Sequence, residues 1–231
     1  MPENNLLKVD WASHDAAKYA CCNWHYSESL PVPPLVKIGV WENGVFIGVV
    51  IFSRGASSNL LTPYGLNQIQ GCELTRVALK NHKTEVSKII KIAISFLKKK
   101  SPSLQLIVSF ADRDQGHTGI IYQAGNWIYA GQTSKSKEYW YKGRKFHSRQ
   151  ISEKGWNIQQ GVIRKTIKPS QCIVKNTLPK HRYLMPLNKS MRKKIQHFKK
   201  PYPKADEVKP VTRNAPSVER VVQLQPIRSN F

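Results

Sequence analysis

Alternating and helical patterns of apolar residues along the chain predict a sheet with helices on its faces. Residues Ser13 to Cys22 are predicted to be helical, because Ser13 suits an N-cap and small apolar residues recur on one side of the segment. Two apolar runs flank Glu42-Asn43-Gly44, and Asn-Gly between such runs favours a hairpin whose turn needs positive φ. A further strand is predicted from Cys72.

The segment from Thr84 to Lys100 changes to helical periodicity. Its apolar residues fall at i, i+3, i+4, i+7, i+8 and i+11, which predicts an amphipathic helix packed on the sheet: Val86, Ile89, Ile90, Ala93, Ile94 and Leu97. Thr84 is the predicted N-cap, and Ser101-Pro102 ends the helix.

The stretch SFADRDQGHTGIIYQAGNWIYAG, residues 109–131, predicts a functional site. A strand from Leu104 to Phe110 runs into a polar turn, followed by a short helix that carries Tyr122, then Gly125 and an aromatic strand. Loops after buried strands commonly hold functional residues, because the strand end is rigid and the loop is accessible. The order of elements predicts an α/β (α+β) fold with a mixed sheet.

Beyond Tyr139 the periodicity weakens, and this change sets the predicted domain boundaries. We predict a core over residues 1–150, a basic extension over residues 151–204 and a loosely ordered tail over residues 205–231.

The charge distribution indicates a polyanionic partner. The net charge is +23, with 15 Lys and Arg against 10 Asp and Glu in residues 1–139, and 22 against 4 in residues 140–231. No lipidation motif and no uninterrupted apolar span of about 20 residues is present, so we expect nucleic acid and no membrane. A basic surface that only faces solvent is the alternative.

Aromatic residues alternate with cations in the C-terminal part, a pattern typical of nucleic-acid surfaces, where cations hold phosphates and rings stack on bases. Two clusters show it: Trp140, Tyr141, Lys142, Arg144, Lys145, His147 and Arg149; and Lys180, Arg182, Tyr183, Arg192, Lys193 and Lys194.

Cysteine spacing and the N-terminal segment bear on the compartment. Cys21, Cys22, Cys72 and Cys172 form no CxxC pair and no zinc-finger spacing. The first 20 residues lack a basic segment followed by an apolar run. These features favour a reducing, cytoplasmic location.

Several polar residues are candidates for chemistry, each with a plain structural alternative. Lys83, Ser87 and Lys88 near the start of the predicted helix could bind phosphate, although an ordinary capped helix without a glycine-rich cradle explains them equally. Tyr122 could return a proton to a leaving group or simply pack, and Asp112 could accept a proton or cap a turn.

The loop after the first helix adds an aromatic group of candidates. Trp24, His25 and Tyr26, together with His117, could form a base, a metal site or a stacking platform. No HxxxH or HxH spacing supports a metal from sequence, and solvated loop side chains are the alternative.

Five segments resemble the Mom family of phage DNA-modification proteins, and more distantly the GNAT acyltransferases. They are NWHYSESLP, WENGVFIGVVIFSRGA, ELTRVAL, VSFADRDQGHTGIIYQAGNW and KHRYLMPLNKSMRKKI, within residues 20–204. The resemblance implies a GNAT-like core with a mostly antiparallel sheet flanked by helices. It also implies an enzyme that carbamoylmethylates the N6 amine of adenine in double-stranded DNA and so protects phage DNA from host restriction.

The resemblance also implies particular roles for residues. IIYQAGNWIYAG is similar to the GNAT segment that matches Tyr122 to a proton-donating tyrosine, and Arg76 to Ser87 is similar to the segment that binds the donor's pyrophosphate. Acetyl-CoA or a related acyl donor is implied, although the R/Q-x-x-G-x-G/A motif is absent. A bound iron is implied by the family, with His25, Tyr26, Asp112 and Tyr122 as matching candidates, and His25 and Asp112 the foremost ligands.

Such a reaction requires a flipped-out base in an aromatic pocket, for which Trp24, Tyr26, Trp127 and Tyr139 are predicted walls. An N-acetyltransferase of a protein or small amine and a nonenzymatic DNA-binding protein remain alternatives. The sequence leaves the oligomeric state open.

Overall fold

The computed structural model describes residues 6–55, 57–146, 148–159 and 161–204. The predicted tail over residues 205–231 lies outside these residues. The helices are α1 (His14–Trp24), α2 (Val86–Lys100), α3 (Ile120–Ala124) and α4 (Lys189–Lys194). The strands are β1 (Leu7–Trp11), β2 (Leu35–Glu42), β3 (Val45–Ser53), β4 (Gly71–Leu79), β5 (Leu106–Ala111), β6 (Ile128–Gln132), β7 (Ser136–Tyr141), β8 (Arg144–Phe146), β9 (Trp156–Gln159), β10 (Val162–Lys165), β11 (Ile173–Thr177) and β12 (His181–Pro186).

Seven strands form the main sheet in the order β1-β2-β3-β4-β5-β12-β6. Every neighbouring pair is antiparallel except β4 and β5, which run parallel. The prediction of a mixed, mostly antiparallel sheet is therefore confirmed, and β1 is an additional strand that the pattern did not predict.

Local signals explain several elements. The Ser13 side chain accepts a hydrogen bond from the Ala16 amide at the start of α1, as predicted. Asn43 and Gly44 have φ of 50° and 79°, which confirms the tight turn between β2 and β3.

The start of α2 differs from the prediction that Thr84 is its N-cap. The N-cap is Glu85, which makes no side-chain capping bond. The amides of Lys83 and Thr84 instead donate to the two carboxylate oxygens of Glu42, at 2.9 and 2.7 Å. The carboxylate at the end of β2 thus fixes this turn, and the helix begins one residue later.

The main sheet has apolar side chains on both faces. On β3, Val50 and Phe52 pack in the cluster that contains α2, while Val49 and Ile51 pack against α1. Further along the sheet, Met191 of α4 belongs to a separate cluster that includes Val108 of β5 and Leu184 of β12. Residues of β3 therefore lie in the core whichever way they point, which explains its nearly unbroken apolar sequence.

The C-terminal part does not form a separate extension, in contrast to the predicted boundary at residue 150. Strand β12 pairs with both β5 and β6, so its residues complete the main sheet. Residues 133–180, between β6 and β12, form an inserted arm built from the sheets β11-β7-β8 and β10-β9. Its two ends meet where the Lys180 amide donates to the Thr133 hydroxyl at 3.0 Å.

Candidate active site

The separation of β4 from β5 opens a pocket in the main sheet. The two strands pair from Gly71 to Leu74, and the pairing stops at Ser109 although both strands continue. A register shift in the pairing of β4 with β3 lies at the same level, beside Thr75. Strands that stop pairing inside a sheet leave a gap, and here the gap is a pocket of about 560 Å³.

The pocket brings together most of the candidate catalytic residues. His25 and Tyr26 line it from the loop after α1, Tyr122 from α3, and Lys180 from the end of the inserted arm. His117 lies opposite the Tyr26 ring, with ring centroids 5.7 Å apart. Residues distant in sequence are thus gathered where one strand pair separates.

Asp112 borders the pocket through its hydrogen-bond partners. One carboxylate oxygen, Oδ2, accepts from Lys180 Nζ at 2.7 Å and from the Tyr26 hydroxyl at 3.5 Å. The other, Oδ1, accepts from the Asp114 amide and so caps the turn after β5. Asp112 is 8% exposed, so these partners replace the water that a carboxylate otherwise binds.

Tyr122 is held by a buried hydroxyl chain. Its hydroxyl oxygen lies 2.8 Å from Ser109 Oγ, and Ser109 Oγ lies 2.8 Å from the Leu74 carbonyl oxygen. Because a carbonyl oxygen can only accept, the Ser109 proton points to Leu74 and the Tyr122 proton points to Ser109. Ser109 therefore orients the phenol of Tyr122 and leaves its lone pairs facing the pocket.

Both phenols of the pocket keep their protons at neutral pH. Burial raises the pKa of Tyr122 to about 12. Burial, followed by the neighbouring Asp112 carboxylate, raises the pKa of Tyr26. Tyr122 and Tyr26 are therefore hydrogen-bond donors or acids in the resting site, and neither is a base.

His25 is neutral in the folded protein. Burial, followed by the positive charge of Arg76 and then His117, lowers the pKa of His25 to about 4. The Ser27 amide donates to His25 Nδ1 at 3.1 Å, which places the ring proton on Nε2. In this form His25 offers a donor at Nε2, which argues against its acting there as a base.

Arg76 ties the aromatic loop to β4. Its guanidinium donates to the Ser29 carbonyl at 3.4 Å and to the Thr75 carbonyl at 2.8 Å. These contacts hold the segment that carries His25 and Tyr26 over the pocket. A contact of Arg76 with the donor stays a prediction.

Only part of the predicted phosphate-binding turn could contact a phosphate. The Lys83 and Thr84 amides are bound to Glu42, a carboxylate that stands where a phosphate would accept them. Lys83 and Lys88 are exposed. In the first turn of α2 the Lys88 amide donates to the Glu85 carbonyl at 3.1 Å, whereas the Ser87 amide has no acceptor within the helix. The pocket reaches this point, since His82 and Val86 line its far end.

Trp24, predicted to bind nucleic acid and to form a pocket wall, packs elsewhere. Its ring lies 5.3 Å from Tyr19 and 5.7 Å from Phe46, against the α1 side of the sheet. Trp127 is 1% exposed beneath Tyr122, and Tyr139 lies in the inserted arm. Of the predicted walls, Tyr26 is the one that lines the pocket.

The predicted DNA-binding cations fall into two separate regions. In the inserted arm Arg144 is exposed, whereas Lys145 forms an ion pair with Glu138. The side chain of Arg149 lies outside what the structure describes. Arg182 lies beside the Tyr64 hydroxyl on the α4 side of the sheet, and α4 carries the other three cations: Arg192, Lys193 and Lys194.

The candidate iron ligands do not form a metal site. Within the described residues, no three His, Cys, Asp or Glu side chains lie close enough to hold a metal ion. Asp112 is occupied by Lys180 and the Asp114 amide, and His25 Nδ1 by Ser27. The residues present therefore do not fit the iron that the resemblance implied.

Two residues of the site were not predicted as part of it. Ser109 stands at the start of the SFAD segment, but its role depends on the approach of α3, which the sequence pattern does not show. Lys180 was assigned to a DNA-binding cluster, whereas its ammonium group contacts Asp112. The position of Lys180 directly before β12 was the only sequence feature that could have indicated this contact.

Comparison with known proteins identifies the family. The profile of the Mom protein family matches residues 6–204. The chain belongs to the Mom protein family. Among Mom relatives, the chain is 27% identical over 205 residues to "Methylcarbamoylase mom" of Escherichia phage Mu, covering 86% of this chain and 84% of the phage Mu protein. The family resemblance drawn from the five segments is confirmed.

Three solved structures to which this Mom-family chain is similar bear the names of acyl-transferring enzymes. One is an N-acyl amino acid synthase from uncultured soil microbes, with 8% identity, a TM-score of 0.47 and coverage of 86% of this chain and 100% of that chain. Another is the aminoglycoside 6'-N-acetyltransferase from Enterococcus faecium, with 10% identity, a TM-score of 0.43 and coverage of 78% and 97%. A Bacillus subtilis acetyltransferase in complex with CoA has 13% identity, a TM-score of 0.40 and coverage of 80% and 100%.

Proposed function

We propose that this chain is a DNA-modifying transferase that acts on the N6 amine of adenine in double-stranded DNA, in the host cytoplasm where phage DNA lies. Membership of the Mom family and the name of the phage Mu relative, a methylcarbamoylase, support the enzyme class. Within the described residues, no helix is long and apolar enough to cross a membrane.

The observation that carries the proposal is the gathering of Tyr26, Asp112, Tyr122 and Lys180 around one pocket. The adenine N6 amine is a weak nucleophile within a duplex, so the base must leave the stack and meet a proton acceptor. Tyr26 and His117 offer rings beside the base, and the Asp112 carboxylate is the acceptor within reach.

The chemistry assigned to these residues is a proton exchange around one bond-forming step. As N6 forms a bond to the carbon of the transferred group, its proton passes to the Asp112 carboxylate. The bond from that carbon to the donor's leaving atom breaks, and Tyr122, which keeps its proton at neutral pH, turns its hydroxyl from Ser109 toward the leaving atom and protonates it. Lys180 holds Asp112 in place at 2.7 Å.

The donor is an acyl-CoA or a related molecule, as the resemblance implies, and the shape of the pocket supports a position for it. The pocket runs along β4 from Tyr122 to His82 and Val86 at the start of α2. An anionic portion of the donor fits the end where Ser87 offers its amide.

Mass analysis of nucleosides tests this function. DNA from cells that express the wild-type chain should contain deoxyadenosine of increased mass, and DNA from cells that express Tyr122→Phe should not. Unmodified nucleosides with turnover of acetyl-CoA on a protein or small amine would favour an N-acetyltransferase. DNA binding without any adduct would favour a nonenzymatic DNA-binding protein.

A further inference from the structure

The inserted arm carries a second groove, which shares no lining residue with the candidate active site. The groove has a volume of about 600 Å³ and lies on the three-stranded sheet of the arm. Trp140, Tyr141, Lys142, Gly143, Gln171, Ile173 and Lys175 line it. Its lining contains two aromatic rings, two cations and no carboxylate.

Strand register explains why apolar and cationic side chains share one face of this sheet. Trp140 lies opposite Ile173 on β11 and opposite Lys145 on β8, and directly opposed residues project to the same face. Lys175 lies opposite Glu138, two residues before Trp140, and therefore joins that face. Trp140 is 37% exposed and Ile173 is 77% exposed, so an apolar strip faces solvent.

The cations around the strip differ in their availability. Lys145 is paired with Glu138. Lys142 lies 5.5 Å above the Tyr141 ring, and neither Lys142 nor Lys175 makes an ion pair with any residue that the structure describes. Lys175 thus shares the face of the exposed indole, and Lys142 lies at the edge of the groove over the Tyr141 ring.

The surroundings favour a polyanion. Residues 133–180 contain twelve Lys and Arg against two Glu. A peptide partner would bring its own cations or backbone to this surface, whereas a nucleic-acid strand supplies phosphates for the lysines and flat bases for the indole. Stacking on Trp140 requires a base that has left the duplex stack, since paired bases within a duplex show only their edges.

We propose that this groove binds an unstacked nucleotide of DNA, with the base on Trp140 and the neighbouring phosphates on Lys142 and Lys175. This inference depends on the proposed function for the identity of the nucleic acid. It assigns the inserted arm a stacking site separate from the pocket that receives the target adenine.

Fluorescence anisotropy with a short fluorescein-labelled single-stranded oligodeoxynucleotide tests the groove in the full-length protein. Trp140→Ala should weaken binding by roughly 5- to 150-fold, the range for loss of one stacked base, and Trp140→Phe should recover part of the loss. Trp156→Ala removes another exposed tryptophan of the arm and should leave binding unchanged. Equal affinities for the wild type and Trp140→Ala would overturn the proposal that the groove binds a base.

The salt dependence provides a second measurement. The double variant Lys142→Gln and Lys175→Gln should lower the slope of log affinity against log salt by about 1.4, because each single-strand phosphate contact contributes about 0.7. The matched variant Lys98→Gln and Lys99→Gln removes the same charge from the end of α2 and should not change the slope. An unchanged slope in the first double variant would overturn the proposed phosphate contacts.

Asp112→Asn separates this proposal from the proposed function. Oligonucleotide binding that depends on Trp140 and persists in Asp112→Asn supports the groove, whether or not adenine is modified. Loss of the nucleoside adduct in Asp112→Asn would support the proposed function. If oligonucleotide binding were unchanged in Trp140→Ala at the same time, the proposal that the groove binds a base would be refuted.

Discussion

The pocket of the main sheet and the inserted arm use aromatic residues in opposite ways. In the main sheet Trp127 and Tyr183 are almost completely buried, and each phenol near the pocket has a defined hydrogen-bond partner. In the arm Trp140 is exposed and lies opposite Lys145 in the pairing of β7 with β8. Buried rings with fixed partners position reacting groups, whereas exposed rings beside cations suit contact with a partner that binds and leaves.

The largest effect is expected from Asp112→Asn, which removes the proposed proton acceptor. Adduct formation should fall by about 100- to 10,000-fold, the usual contribution of a general base. Nucleoside mass analysis at equal protein level measures this. Glu138→Gln removes a carboxylate from the arm and should keep most of the activity, and equal activity of the two variants would contradict the assignment.

Gly119→Ala should destabilise the fold around α3, the helix that carries Tyr122. Gly119 precedes α3 with φ of 80°, and an added Cβ would lie 2.3 Å from a ring atom of Tyr183. Backbone strain and the clash together should lower the free energy of unfolding by about 2 to 4 kcal/mol.

Gly116→Ala is a matched control for this change in urea unfolding. Gly116 has φ of 71°, but its added Cβ would meet no atom within 4 Å, so only the strain remains. Equal losses of stability in both variants would show that the contact with Tyr183 has no effect.

Ser109→Ala should reduce activity through Tyr122. Without the hydroxyl, the phenol loses the acceptor that orients it, and the buried Leu74 carbonyl loses a donor at 2.8 Å. We expect a loss of stability of about 1 to 3 kcal/mol and a lower rate at saturating DNA. Ser109→Thr keeps a hydroxyl and should restore the rate, and a rate restored equally by alanine would exclude a positioning role.

Local sequence patterns account for the elements that could be predicted from the sequence. Ser13 and the Asn43-Gly44 turn act within a few residues, so α1 and the first hairpin follow directly from the sequence. The start of α2 was misplaced because Glu42, about forty positions away, binds the amides before it. Long-range contacts of this kind leave no periodic signal.

The same lack of a local signal explains why the predicted boundary at residue 150 differs from the observed sheet. β12 enters the sheet between β5 and β6, and the sequence contains no local mark of that choice. For the candidate site, the SFAD segment indicated Asp112 and Tyr122, but the partners Lys180 and Ser109 became evident only from contacts between separate elements.

Replacing Arg192, Lys193 and Lys194 with alanine tests whether the basic surface of α4 also binds DNA. Each lost phosphate contact should reduce the salt slope for duplex binding by about 0.9. Lys194 Nζ also donates to the Gly65 carbonyl, so we expect less than the full change for three charges. A slope equal to that of the wild type would show that α4 makes no phosphate contact.

The last expected effect is the pH dependence of stability contributed by His25. Its pKa is about 4 in the folded protein and 6.5 when unperturbed, so between these values the unfolded chain binds more protons. Stability therefore falls as pH decreases from 6.5 to 4, and His25→Gln should flatten this dependence in urea unfolding. His14→Gln, at the exposed start of α1, should retain it; equal slopes for wild type and His25→Gln would contradict the burial of a neutral ring.

Nucleoside mass analysis over a range of protein levels tests most directly whether chemistry belongs to the main-sheet pocket and DNA contact to the arm. Trp140→Ala should recover wild-type adduct levels when the protein level is raised, because only affinity is lost. Asp112→Asn should not recover at any level. Full modification of deoxyadenosine by Asp112→Asn would contradict the account.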